Sequence, residues 1–300
     1  KVFFSKNLDP TNWDISADGG GFIELLDERG FLNKVVSFGN YVYIFRDHGI
    51  SRVTAYGDQT EFSVVNMFVT GGRIFPSSIT VCGNCIMFLA SDGLYRFDGY
   101  ECTRVLSDIS PRIKPDDDCA CAYFDGKYYL ACKMEFSDVR KIGCETTAGY
   151  RTNAVIVYDL CSGGYSISRG LNIRYMAACS YNGEDFLMCS ENSRGGVIVL
   201  GAMRFESDLI AYWESGLIDM GMPDKTKTIT QVLFDNDGNG SDNGLMFGIK
   251  IDDLTAEFSC DRMCNGDIRL SLSGRRFSFF ILTNTPRINA TPLCIKYNTV

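Results

Sequence analysis

Cys82-Gly83-Asn84-Cys85 has the Cys-x-x-Cys spacing of a redox pair or of half a zinc site. Either chemistry needs companions. Cys260 and Cys264 have three residues between them, the chain carries one histidine, and there is no second Cys-x-x-Cys. The pair therefore reads as two residues flanking a hairpin turn that related stretches make without cysteine. The histidine, His48, stands where a related stretch has Asp92, a polar turn position, and supports neither a Ser-His-Asp triad nor a histidine metal centre. Asp235-Asn236-Asp237-Gly238-Asn239-Gly240 matches the first half of a calcium loop, in which oxygens at alternate positions converge on a hard cation. The twelfth position is Met246 where a bidentate glutamate is expected, and no helix is predicted beside it. The stretch reads as a long polar hairpin loop, with Asp235, Asp237 and Asn239 as candidate ligands of a weak calcium site. No other cofactor and no catalytic residue is expected.

The elements that would hold these residues come from a repeat. Ser77 to Gly99, SSITVCGNCIMFLASDGLYRFDG, contains three β-branched or aromatic runs separated by Gly83-Asn84 and by Ser91-Asp92-Gly93. This predicts a three-stranded meander, with strands over Ile79 to Cys82, Cys85 to Ala90 and Leu94 to Phe97. Forty-four residues earlier the unit reads VVSFGNYVYIFRDHGISRV, with Gly39-Asn40 in the place of Gly83-Asn84. It recurs as CACAYFDGKYYLACK around Gly126 and as YMAACSYNGEDFLMCS around Gly183. A strand-turn-strand core at a period near 44 residues is the mark of a propeller blade.

Composition sets outer bounds. Apolar residues make up 45% and charged residues 22% of 300, as in ordinary globular chains, and no apolar run approaches the roughly 20 residues of a membrane span. A formal net charge of −8 with acidic residues spread along the chain leaves no basic stripe for phosphate neutralisation, so direct nucleic-acid binding is not expected. The thirteen cysteines are odd in number, and many fall at apolar positions of predicted strands, as Cys119, Cys121, Cys132, Cys179 and Cys189 do. They read as reduced, buried thiols acting as small hydrophobes, which points to folding in a reducing cytoplasm. The chain opens on Lys1 in a strand-like run, KVFF, as a piece of a longer product would.

Along the chain, FIELLDERG at 22–30 reads as a strand or as one or two helical turns, and EFSVVNMFV at 61–69 as a strand between the first and second blades. A polar insert at 135–153 interrupts the third blade's hairpin and is expected to be exposed. Beyond 205 the repeat ends, and six or so longer alternating strands follow. The predicted fold class is all-β: a β-propeller of about five blades, with a range of four to six, over 1–205, then an antiparallel β-sandwich-like region over 206–300. The alternative makes 206–300 further blades.

Three stretches taken together carry a family resemblance: FFSKNLDPTNWD at 3–14, the blade at 77–99, and YWESGLIDMGMPDKTKTITQVLFD at 212–235. In order along nearly the whole chain they resemble the propeller-containing virion proteins of tailed bacteriophages and prophages, in the tail or at the head-tail junction. The resemblance implies a non-enzymatic structural protein, assembled in the bacterial cytoplasm, oligomeric in the particle, with other virion proteins as partners. The runner-up is a carbohydrate-binding or glycoside-cleaving propeller acting on a host surface glycan. Its motif is Ser16-Ala17-Asp18-Gly19-Gly20-Gly21-Phe22, which is similar to the aspartate-box hairpins of sialidases but one residue short and unrepeated.

Overall fold

The computed structural model describes residues 1–15, 19–55, 62–136, 150–192, 195–200, 211–234, 245–252, 254–260, 266–283 and 294–299. The fold is all-β, made of several small antiparallel sheets, and the chain divides into two compact units, Lys1–Met203 and Arg204–Val300. No helix among the described residues is long and apolar enough to cross a membrane.

The first unit starts with a two-stranded ribbon, β1 (Val2–Phe4) on β2 (Gly21–Ile23). Four larger sheets follow in chain order. The first is β3 (Leu32–Phe38), β4 (Tyr41–Arg46), β5 (Gly49–Thr54) and β6 (Ser63–Val69); the second is β7 (Thr80–Cys82), β8 (Cys85–Ala90), β9 (Gly93–Phe97) and β10 (Cys102–Val105). The third contains β11 (Ile113–Lys114), β12 (Ala120–Phe124), β13 (Lys127–Met134), β14 (Ala154–Asp159) and β15 (Tyr165–Arg169); the fourth is β16 (Ile173–Tyr181), β17 (Glu184–Glu191) and β18 (Gly196–Leu200). Of the run at 61–69, Ser63–Val69 is thus the outer strand of the first sheet, paired to β5. Of the ambiguous 22–30 stretch, only its first residues are extended, in β2, and the rest is irregular.

Each repeat's hairpin closes on two residues, and the backbone uses two mirror-image turns. Gly39 (φ 58) and Gly83 (φ 61) alone have positive φ in the first two, which is the type II′ pattern. In the third and fourth both residues do, Asp125-Gly126 and Asn182-Gly183, which is type I′. Either turn matches the right-handed twist of the strands it joins, so Gly-Asn and Asp-Gly or Asn-Gly are interchangeable at this point of the repeat.

The sheets pack face to face in succession. β8 has all six residues at 0% exposure. Its Ile86, Phe88 and Ala90 join Tyr43, Phe45 and Ile50 of the first sheet, while Cys85, Met87 and Leu89 join Tyr128, Leu130, Cys132 and Ile156 of the third. The third sheet's other face, with Ala120, Ala122, Ala131 and Val155, meets Ile173, Leu187 and Cys189 of the fourth. A strand buried on both faces shows no polar alternation, as CIMFLA does not. Rings order the first of these cores: Phe88 stacks on Tyr95 at 5.4 Å and meets Phe45 edge-on at 5.5 Å. Across the second core the Tyr128 hydroxyl, wholly buried, donates to the Ser78 carbonyl at 2.8 Å.

β13 and β14 pair directly, Cys132 opposite Ala154, at the base of the long insert, of which residues 137–149 lie outside the described residues. Asn153 closes that base. Its side-chain oxygen accepts the Met134 N–H at 2.7 Å and its amide donates to the Met134 carbonyl at 2.9 Å, as a neighbouring strand would.

Among its described residues the second unit has seven strands: β19 (Ala211–Glu214), β20 (Lys227–Phe234), β21 (Leu245–Ile251), β22 (Leu254–Cys260), β23 (Gly266–Gly274), β24 (Phe277–Thr283) and β25 (Cys294–Thr299). They form a sheet in the order β19-β24-β21-β22 and another in the order β23-β20-β25. One apolar cluster draws on both, with Ile229 and Val232 from the second and Phe247, Ile249, Phe277 and Phe279 from the first. Gly248 is required here, because a methyl group at that position would collide with the Phe280 ring. The Lys227 ammonium is fully buried and donates to the carbonyls of Asp219 at 2.8 Å and Met222 at 2.7 Å, fixing the turn before β20.

Phe88→Ala, which removes the ring common to the first core's contacts, is expected to cost about 3–5 kcal/mol. Tyr100→Ala, at a 72% exposed ring, is expected to cost less than about 0.5 kcal/mol. Urea unfolding followed by circular dichroism separates the two, and equal losses would contradict the packing described.

Candidate functional site

The densest charged group lies at the turn between β4 and β5. Arg46, at the end of β4 and 2% exposed, pairs with the Asp27 carboxylate and donates to the carbonyls of Asp27 at 3.0 Å and Gly30 at 3.2 Å. The next residue, Asp47, accepts the Phe31 N–H at 2.7 Å and the Asn33 amide at 3.1 Å. Arg73 spans Asp47, at 3.7 Å, and both oxygens of Asp117, at 3.0 and 2.9 Å. Burial works to raise the Asp47 carboxyl, but the Phe31 N–H, Asn33, Arg73 and His48 outweigh it and hold the group below its ordinary 3.8. Hydrogen bonding to Asp117 pushes the Arg73 guanidinium up. His48 serves through its backbone, its N–H donating to the Arg29 carbonyl at 3.0 Å and its own carbonyl accepting from Thr70 at 3.1 Å. This arrangement staples the 27–31 segment to the first sheet; its charges are committed to one another.

The first 31 residues expose several large apolar side chains. Phe3 (58% exposed), Leu8 (97%), Trp13 (56%), Ile15, Phe22, Leu26 (86%) and Phe31 (83%) all fall within the first 31 residues. Phe3 and Phe22 face each other across the β1–β2 ribbon with ring centroids 5.9 Å apart, and Lys1 lies 4.1 Å above the Phe22 ring. Seven large apolar side chains are thus left in solvent within one short stretch of sequence.

The Cys-x-x-Cys pair lies in the core between the second and third sheets. Cys82 and Cys85 are directly opposed across the hairpin, buried, and unbridged. Burial pushes both thiols up, Cys82 strongly, and lifts Cys119, Cys121 and Cys189 to about 12. A thiol in that state is neither nucleophile nor ready metal ligand at neutral pH. Among the described residues no three His, Cys, Asp or Glu side chains are grouped to hold a metal ion.

An open cleft of about 380 Å³ lies between β3 and β7, lined by Lys34, Val35, Val36, Ser37, Ile79, Thr80 and Val81. Lys34 closes one side by donating to the Ile79 carbonyl at 2.6 Å. The lining is a lysine, two hydroxyls and aliphatic carbons, without a carboxylate.

In the second unit, Glu214 holds the Lys250 ammonium through both oxygens, at 2.7 and 2.8 Å, and accepts from Tyr212 and from Ser278 at 2.9 Å. Burial pushes the Tyr212 hydroxyl to about 12, aided by Glu214. Burial opposes both charges of the ion pair, yet Lys250, Tyr212 and Ser278 keep the Glu214 carboxyl low, and Glu214 and Tyr212 keep Lys250 high. The cluster acts as a clamp across β19, β24 and β21.

Asp235, Asp237 and Asn239 lie outside the described residues, as do Ser16 to Asp18 and Cys264. Sequence reading missed the Asp27–Arg46 staple, because an arginine ending an apolar strand and an acidic residue 19 positions earlier give no local signal. The flanks of the 135–153 insert are tied down, by Arg151 to Asp118 at 2.9 Å and by Arg169 over the Phe136 ring at 3.9 Å.

No family model matches the chain, and no curated protein matches it. Among solved structures, a chain of an S. cerevisiae assembly of dbp5 with nup159, gle1, IP6 and ADP is similar, with 11% identity and a TM-score of 0.31, over 84% of this chain and 76% of that one. A likeness that loose carries no argument about fold or function.

Native alkylation with iodoacetamide, read by peptide mass spectrometry, is expected to modify the exposed Cys161 and Cys294 at least tenfold faster than Cys82, Cys85 or Cys132. Rapid labelling of Cys82 and Cys85 would restore the redox reading. Asp47 has a folded pKa below its unfolded one, so its contribution is complete above the unfolded value and disappears as pH falls through the folded one. Asp47→Asn is expected to lose about 1–3 kcal/mol at pH 7 and to differ little from the parent near pH 2, by urea unfolding at both. An equal deficit at both would assign the loss to packing.

Proposed function

We propose that the chain is a non-enzymatic structural protein of a bacteriophage or prophage virion, in the tail or at the head-tail junction, which works by docking on other virion proteins. In this reading the four larger sheets of the first unit are blades of a β-propeller and the second unit is a β-sandwich. The chain is assembled in the bacterial cytoplasm. The observation that carries the reading is the set of exposed large apolar side chains among the first 31 residues, Trp13, Leu26 and Phe31 among them, of which Phe31 is fixed beside the first sheet by Asp47. Large side chains such as Trp13, Leu26 and Phe31 gain nothing from solvent, and anchors of this kind supply most of the energy of protein interfaces. Repetition around a symmetric particle multiplies modest contacts. The similarity of 3–14, 77–99 and 212–235 to phage propeller proteins supports the same reading.

The sugar-acting alternative calls for arginines and carboxylates around a pocket. The cleft beside Lys34 has neither.

Mass spectrometry of particles purified after prophage induction of the source bacterium is the test. Peptides of this chain at levels comparable to tail components are expected, and Trp13→Asp with Leu26→Asp should reduce incorporation without unfolding the protein. Presence in the lysate with absence from intact particles would overturn the proposal.

A further inference from the structure

The stack of sheets ends on an apolar face that nothing within the described first unit covers. In the fourth sheet, Met176, Leu187, Cys189, Ile198 and Leu200 point toward the third sheet. The register places Tyr175, Ala177 and Tyr181 of β16, Phe186 and Met188 of β17, and Val197 of β18 on the opposite side. Tyr175 is 64% exposed, Tyr181 71%, Met188 39% and Val197 66%. Every earlier sheet-to-sheet junction of the unit buries such a face against another sheet, so this face continues an interface already built three times.

The charges of the face identify the occupant. Between its ends it carries no ionisable carboxylate, ammonium or guanidinium. At one end Arg174 lies 5.3 Å from the Tyr175 ring, and at the other Glu184 pairs in register with Tyr181 on the outward side. Seven residues of strand separate those ends by about 23 Å. Two copies of this face, strands antiparallel about a two-fold axis, place each Arg174 against the other's Glu184 and apolar rows between them. We propose that the outward face of the β16–β18 sheet is a homodimer interface, its partner the same face of a second copy of this chain. The inference concerns the isolated chain and rests neither on a virion role nor on closure of the sheets into a ring, which would cover this face.

Three strands at about 4.8 Å spacing and up to nine residues of about 3.3 Å rise offer roughly 400 Å² per copy, about 800 Å² in total, below the standard size and in the class of weak, transient contacts. The dimer is therefore concentration-dependent. Sedimentation equilibrium of the full chain from about 1 to 100 µM is expected to show a monomer-dimer equilibrium. Met188→Glu should weaken it at least tenfold with an unchanged thermal melt; if that variant misfolds, Val197→Glu at the sheet's outer strand takes its place. Arg174→Glu and Glu184→Arg should each weaken association, and combining them should restore it. A monomer throughout the range, a dimer indifferent to Met188→Glu and Val197→Glu, or failure of the double variant to recover would overturn the proposal.

Discussion

The burial of both faces of the middle sheets governs the first unit. β8 has no solvent side, so each of its residues must fit one of two cores, and neighbours in sequence answer to different sheets. The two outer junctions solve the packing differently. Between the first and second sheets the space is filled by aromatic rings, with Tyr43, Phe45, Phe88, Tyr95 and Phe97 interlocking edge to face or stacked. Between the third and fourth it is lined by Ala120, Ala122 and Ala131, which let strands approach closely. The middle junction mixes the two, and there cysteine is useful: it is the size of a small hydrophobe, tolerates burial without a partner, and is chemically silent once desolvated.

Because strand interiors carry so little charge, the charged groups collect at turns and edges, where they fasten segments that have no sheet of their own. Arg46, Asp47 and Arg73 hold the 27–31 stretch and link it to the loop bearing Asp117. In the second unit Lys227 fastens a turn through two carbonyls, and Glu214 with Lys250 ties three strands. These are positional devices. A half-exposed pair such as Arg73 and Asp117 adds little stability alone, but a bidentate guanidinium fixes orientation as well as distance.

Much of this was readable from the residues. Gly39-Asn40, Gly83-Asn84 and Gly126 announce hairpins because tight two-residue turns need positive φ, and β8 emerges with its boundaries intact from CIMFLA. What could not be read depends on groups far apart in sequence. The 22–30 stretch has strand and helix potential in equal measure, and its irregular course is set by Arg46 capturing Asp27 and Asp47 capturing the Phe31 N–H. The ownership of 61–69 was likewise a matter of pairing, since composition makes it a strand but only its register with β5 assigns it to the first sheet. The exposed apolar residues of 1–31 were visible as types, yet their exposure was not, because periodicity reports amphipathicity only for segments that pack.

The Asn153 clasp frees one part of the chain from the rest. By imitating a strand's donor and acceptor opposite Met134, it seals the sheet before the insert departs. The sheet then has no stake in the length of the connection between these strands, since loop-closure entropy adds only about 0.6 kcal/mol for each doubling in length. A connection leaving the sheet at Met134 and returning at Asn153 can therefore be lengthened, shortened or rewritten without disturbing the strand pairing. Variation here is the cheapest route by which such a scaffold acquires new neighbours.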